Sequence, residues 1–166
     1  MVKTELLTML KAFIEESTAD LLFRVSVQRG DVFSEDRPPA VYLMRLPDTE
    51  SYTKKAPYII IQAVTGNDEQ PSGDTVQSEC GVRLVFCVYD EDGQQGSMRL
   101  LEVMERVRIA LLRRPVIGKR YQLDLQQKLQ MLVYTDDIYP YYGGEIYTVW
   151  RMPSPDREIP GLNYLG

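Results

Sequence analysis

The sequence predicts an α+β domain in which a mostly antiparallel sheet of four to five strands is packed by an N-terminal helix and one long central helix. Three stretches carry that prediction. Gly81 to Tyr89 places Val82, Leu84, Phe86 and Val88 on one face and Val85, Cys87 and Tyr89 on the other, the pattern of a central strand covered on both sides. Leu100, Met104, Val107 and Leu111 recur at the spacing of one helical face, and Leu101, Val103 and Ala110 widen that stripe. Pro57 to Val64 has the β-branched density of a buried strand.

The other elements fall around these three. Thr4 to Glu16 sets Leu6, Leu10, Phe13 and Ile14 on one side of an amphipathic helix. Leu22 to Gln28 alternates loosely and runs into Arg29-Gly30-Asp31, a turn whose tripeptide is too short to be read as an adhesion motif. Ser34 to Pro39 reads as a loop, Ala40 to Leu46 as an edge strand closed by Pro47, and Asp48 to Lys55 as a further loop. Thr65 to Gln77 is polar and aperiodic, an exposed connection, with a long hairpin as one form open to it.

The central helix runs from Met98 to Arg114, with Ser97 as its cap, Glu102 and Arg106 as an i,i+4 pair and Pro115 as its stop. Val116 to Leu125 is a connection whose type the sequence leaves open. Leu129 to Tyr134 and Glu145 to Met152 alternate as two strands joined through Asp136 to Gly144, with Gly143-Gly144 as a backbone bend. One domain therefore spans residues 1–152, and the proline-bearing stretch 153–166 forms an extended arm.

A chain of 166 residues needs neither metal nor disulfide to hold its core. If Cys80 and Cys87 share one strand they lie ~23 Å apart, far beyond bridging distance, so free thiols in a reducing compartment are expected. No apolar run approaches the ~20 residues of a membrane span, and no signal-peptide core is evident, which points to a cytoplasmic protein without a membrane partner. A net charge of -5 without a basic block argues against sequence-specific nucleic-acid binding but does not forbid a channel through which DNA slides. The absence of histidine removes the usual general base, metal ligand and pH switch together.

Each candidate chemistry lacks a part that it needs. A calcium loop opening at Asp90 would need glycine at its sixth position and glutamate at its twelfth, where Gln95 and Leu101 stand. Asp136, Asp137 and Glu145 would serve a two-metal site only if other carboxylates joined them. Cys87 lacks a histidine partner and lies in an apolar strand. No cofactor or catalytic group is expected. Tyr134, Tyr139, Tyr141, Tyr142 and Tyr147 gather around one hairpin, where their rings suit either a protein interface or packing over the sheet edge.

The N-terminal helix, the polar loop after Ile59-Ile60-Ile61-Gln62, the strand ending Val88-Tyr89-Asp90, the helix Met98 to Arg114 and the hairpin closing in Tyr147-Thr148-Val149-Trp150 together resemble the tail terminator and tail-completion proteins of long-tailed phages and prophages. That resemblance covers most of the chain up to Met152 and carries no catalytic motif. It implies a non-enzymatic α+β protomer closing into a homo-hexameric ring that caps the tail tube and meets the head connector. It further implies assembly in the bacterial cytoplasm and residence in the virion tail or neck.

The candidate contact residues are Asn67, Asp68, Glu69 and Gln70 in the polar loop, Tyr139, Tyr141 and Tyr142 in the hairpin, and Leu162, Tyr164 and Leu165 in the arm. Two alternatives accompany the terminator reading. One is a head-tail adaptor; the other is a histidine-free metal-dependent hydrolase using Asp90, Asp92, Asp136 and Asp137.

Overall fold

A computed structural model of the chain describes residues 2–25, 35–47, 56–73, 75–136, 138–155, 158 and 160. Two helices lie on one face of a mixed sheet, which is the α+β class expected. Helix α1 spans Lys3–Thr18 and helix α2 spans Gly93–Arg113. The strands are β1 (Ala40–Leu43), β2 (Tyr58–Glu69), β3 (Gln77–Tyr89), β4 (Val116–Ile117), β5 (Tyr121–Leu123), β6 (Gln130–Val133) and β7 (Tyr141–Met152). Their order across the sheet is β1-β2-β3-β7-β5-β4, with β6 also pairing β7. Only β1 runs parallel to its neighbour; the other pairs are antiparallel.

The strand count exceeds the four to five expected because two short strands, β4 and β5, were not legible in sequence. The segment of open type, 116–125, is where β4 and β5 form a hairpin that brings Tyr121 to full burial. The polar stretch after Val64 is a long hairpin, not a loop. β2 runs on to Glu69, β3 begins at Gln77, and a short 3-10 turn at Pro71–Gly73 joins them. A bulge between Ala63 and Thr65 shifts the register by one residue. The loose strand Leu22 to Gln28 is reduced, within the described residues, to a single bridge between Phe23 and Arg37. The Arg29-Gly30-Asp31 turn lies outside the described residues.

β3 is central, between β2 and β7, but it is covered by helices on one face only. Val82, Leu84, Phe86 and Val88 join the core with Leu6, Leu10 and Ile14 of α1 and Leu100, Met104, Val107 and Leu111 of α2. Each of these side chains, removed from water, contributes ~2 kcal/mol of transfer free energy, so the two helices are held by their stripes. The alternate residues of β3 point to the other face, where Arg83, Val85 and Tyr89 stay partly exposed.

Helix α2 starts a turn earlier than Ser97 would set it. Asp92 caps it, its carboxylate accepting from the backbone N–H of Gln94 and Gln95 at 3.1 Å each. Ser97 instead donates back to the Gly93 carbonyl. Glu102 pairs with Arg99 at 2.6 Å, and Arg106 reaches Asp20 at 2.6 Å, so the expected Glu102–Arg106 pair is replaced by these two. Arg106 thereby ties the end of α1 to the middle of α2. These exposed pairs fix orientation more than they stabilise.

Candidate functional site

The three-stranded centre β2-β3-β7 places the sequence-predicted contact residues at its two opposite ends. β3 alone, at ~3.3 Å per residue, separates those ends by about 40 Å. Asn67, Asp68 and Glu69 pair with Glu79, Ser78 and Gln77 at one end, while Tyr141 and Tyr142 pair with Tyr89 and Val88 at the other.

At the hairpin end, alternation splits the residues between the faces. Asp68 lies on the helix side and accepts from Ser78 Oγ at 2.6 Å. Asn67 lies on the opposite side and donates from Nδ2 to Glu79 Oε1 at 3.1 Å; Gln127 donates its side-chain amide to the other oxygen of Glu79. Gln70 closes the turn by donating to the Gly73 carbonyl at 3.1 Å. The arm begins here, with Ser154 Oγ donating to the Val76 carbonyl. Between the hairpin and the β5-β6 connection lies a polar groove of about 540 Å³ whose walls include Glu69, Glu79, Asp124, Gln126 and Arg151. Leu162, Tyr164 and Leu165 lie outside the described residues.

Asp124 is the buried anchor of that groove. Its carboxylate accepts from the Gln126 backbone N–H and the Gln127 amide at 3.1 Å each, and it lies 3.4 Å from Arg151. Burial opposes its charge, yet these three partners outweigh burial and hold the carboxyl below the ordinary aspartate range. Because the folded state lowers this pKa, the stabilisation is complete above the unfolded value near ~4 and is lost as pH falls through the folded value. Asp124→Asn is therefore expected to lose ~1.5 kcal/mol at neutral pH, with the difference from wild type shrinking below about pH 4. Urea unfolding of both proteins across pH 7 to about pH 3 reads this out.

At the tyrosine end, the three candidate rings have different roles. Tyr139 is 56% exposed and donates to the Glu91 carbonyl at 2.6 Å. Tyr141 packs its ring 5.4 Å from that of Tyr89. Tyr89 in turn donates to Glu91 Oε1 at 2.8 Å, and burial followed by that hydrogen bond pushes its phenol up to about 12. Tyr142 turns to the helix side and packs against the core, its ring filling the space beside Gly96 in the first turn of α2. A Cβ at Gly96 would stand 2.1 Å from that ring, so the glycine is required for the close approach. The three rings thus divide: Tyr139 is exposed and Tyr141 partly exposed on the sheet, whereas Tyr142 packs against the core.

The carboxylates weighed for metal chemistry have local roles. Asp90 is 9% exposed and accepts the Asp92 backbone N–H at 2.9 Å, and Asp92 caps α2. Asp136 is exposed and Asp137 lies outside the described residues. Among the described residues no three histidine, cysteine, aspartate or glutamate side chains converge on one point. No helix among them is long and apolar enough to cross a membrane.

Both cysteines are buried and free. Burial pushes the Cys87 thiol up to about 11 against a weaker pull from its hydrogen bond to Tyr58, and burial raises Cys80 as well. Native protein is therefore expected to react negligibly with a disulfide reagent at about pH 8, and the urea-unfolded chain to titrate both thiols. Rapid modification of the native protein would contradict the burial.

One surface extends the tyrosine cluster read in the sequence and another departs from the reading. The sheet face away from the helices gathers Tyr42, Tyr58, Tyr89, Tyr134, Tyr141 and Tyr147, placed there by strand alternation and, for Tyr134, by its ring lying over Gly143. Leu101, expected to widen the core stripe of α2, is 39% exposed on the flank of that helix. Among known proteins, no family model and no curated sequence matches this chain.

Proposed function

We propose that this chain is a structural tail-assembly protein of a phage or prophage, a tail terminator acting by ring formation on the end of the tail tube. The observation that carries this reading is the order and packing of elements: helix, long hairpin, central helix and closing strand on one layered α+β unit. A ring protomer needs two different surfaces, and the centre of the sheet offers an acidic, amide-rich end and a tyrosine end about 40 Å apart. The acidic balance, with a net charge of -5, suits a channel wall along which DNA passes without sticking.

Sedimentation of the purified protein over a range of concentrations tests ring formation, with a sixfold mass expected. A strict monomer that binds divalent metal tightly would overturn the reading in favour of an enzyme. Electron microscopy of particles lacking the protein tests the role: overlong tails are expected. Tails of normal length that fail to join heads would instead establish a head-tail adaptor.

A further inference from the structure

Helix α2 is apolar on two separate sides. Leu100, Met104, Val107 and Leu111 enter the core, yet Met98, Leu101, Ile109 and Leu112 are 62%, 39%, 39% and 38% exposed. At about 100° per residue those four fall within an arc of roughly 80° whose centre lies about 130° round the helix from that of the core stripe. A helix with only one buried side carries polar residues there. The polar residue sharing this arc is Glu105, and it is engaged by Arg108 at 2.8 Å. The outer stripe from Met98 to Leu112 is about 21 Å long.

The same protomer carries a matching surface on its far side. Cross-strand register aligns Tyr42, Ile60, Val85, Glu145 and Leu132 in one row across five strands of the helix-free sheet face. At ~4.8 Å between strands that row is about 19 Å wide. Arg83, in the next row, stands 3.8 Å from Glu145. Arg83 also donates to Gln62 Oε1 at 2.8 and 3.0 Å, so the face is apolar and aromatic around one polar cluster of Gln62, Arg83 and Glu145, a composition that fits the centre of a protein interface. A footprint as wide as this row and as long as the α2 stripe covers about 400 Å², roughly half of what one side of a standard interface buries, which leaves the two sheet ends to supply the rim.

We infer that the outer stripe of α2 in one copy docks on the helix-free sheet face of the next copy. The stripe points away from its own sheet, so the two surfaces cannot meet within one protomer. The charges are complementary when they meet between copies: Glu105 opposes Arg83, and Arg108 opposes Glu145. Such a contact is head-to-tail, and a repeated head-to-tail contact generates a ring where its rotation closes. The inference rests on the ring reading and names the surfaces that build it.

The test uses two variants, each blocking one surface. Leu101→Glu/Ile109→Glu charges the outer stripe; Arg83→Glu/Leu132→Lys disrupts the sheet face. Circular dichroism melting establishes that each folds, and Leu132→Lys alone replaces the second variant if it does not. At a concentration well above that at which wild type is fully hexameric, each variant alone is expected to sediment as a monomer. An equimolar mixture is expected to form a dimer and nothing larger, because each pair retains one intact contact. Variants that remain hexameric, or a mixture that stays monomeric, would overturn this pairing while leaving the ring itself standing. Wild type that never exceeds a monomer would overturn both.

Discussion

Trp150→Ala is expected to lower the unfolding free energy by about 4 kcal/mol, with the urea midpoint shifted and the slope unchanged. Trp150 is fully buried on the helix side of β7, opposite Cys80 of β3 and Leu123 of β5. It lies at the junction where the long strands meet the short hairpin 116–123. Its indole N–H donates to Thr148 Oγ1 at 2.9 Å, and that hydroxyl donates to the Val82 carbonyl at 3.0 Å. Truncation removes the ring, leaves a cavity whose backbone walls cannot collapse, and strips the donor from this chain of hydrogen bonds. Trp150→Phe separates the effects: most of the volume stays, the hydrogen bond goes, and about 1–2 kcal/mol is expected to be lost. Domains of this kind have only about 5–15 kcal/mol in total, so the alanine variant would be near the limit of folding. A loss for alanine no larger than for phenylalanine would mean that packing at this junction contributes little.

What could be read in the sequence was what depends on one element at a time. The stripes Leu6, Leu10 and Ile14 and Leu100, Met104, Val107 and Leu111 each state a helix face, and both faces enter the core. The alternation of Val82 to Val88 likewise places one side of β3 in the core. Illegible features were those decided by a partner element. Thr65 to Glu69 has the composition of a loop but is strand, because β3 supplies its hydrogen bonds in register. Gly93 and Gly96 are weak helix formers, yet α2 includes both because Asp92 caps it there and Tyr142 occupies the room that Gly96 leaves. Tyr121 looked like part of a connection, and its burial follows from β5 docking on β7.

The candidate contact residues show the same division. Asn67 and Glu69 were legible as exposed polar groups, and they are exposed; which tyrosine rings reach solvent was not legible, and Tyr139 is exposed while Tyr141 is partly so. Their separation to two ends of the sheet was not legible, since it follows from antiparallel pairing over the full length of β3. The outer stripe of α2 carried a signal that could have been read. Met98, Leu101, Ile109 and Leu112 share one arc of the helix, and an apolar arc facing away from the core marks a partner.

Gly144→Val is expected to destabilise by about 3 kcal/mol, for a reason unlike the bend that Gly143-Gly144 suggests in sequence. Both glycines lie within β7, paired with Cys87 and Phe86 of β3, so the chain does not bend away there. Gly144 points to the helix side, where a Cβ would stand 2.7 Å from Met104 Sδ and 2.9 Å from the Leu132 carbonyl oxygen. The methionine can swing aside, since its side chain is flexible. The carbonyl cannot, because β6 is hydrogen-bonded to β7 in register, Val133 opposite Gly144. Relief would require β6 to shift, carrying with it Tyr134, whose backbone N–H donates to the Gly143 carbonyl at 2.9 Å. Gly144→Ala separates contact from bulk, with about 1–2 kcal/mol expected because a single methyl still meets the carbonyl. Gly73 supplies the control: a Cβ there meets nothing within 4 Å, so the effect of Gly73→Ala comes from its positive φ alone. Thermal and urea unfolding of the three variants, ordered with Gly144→Val least stable, would establish that this glycine exists to let β6 and α2 close on β7. Equal stability of Gly144→Val and wild type would show that β6 is free to move, and the sheet face that includes Leu132 would then be adaptable instead of rigid.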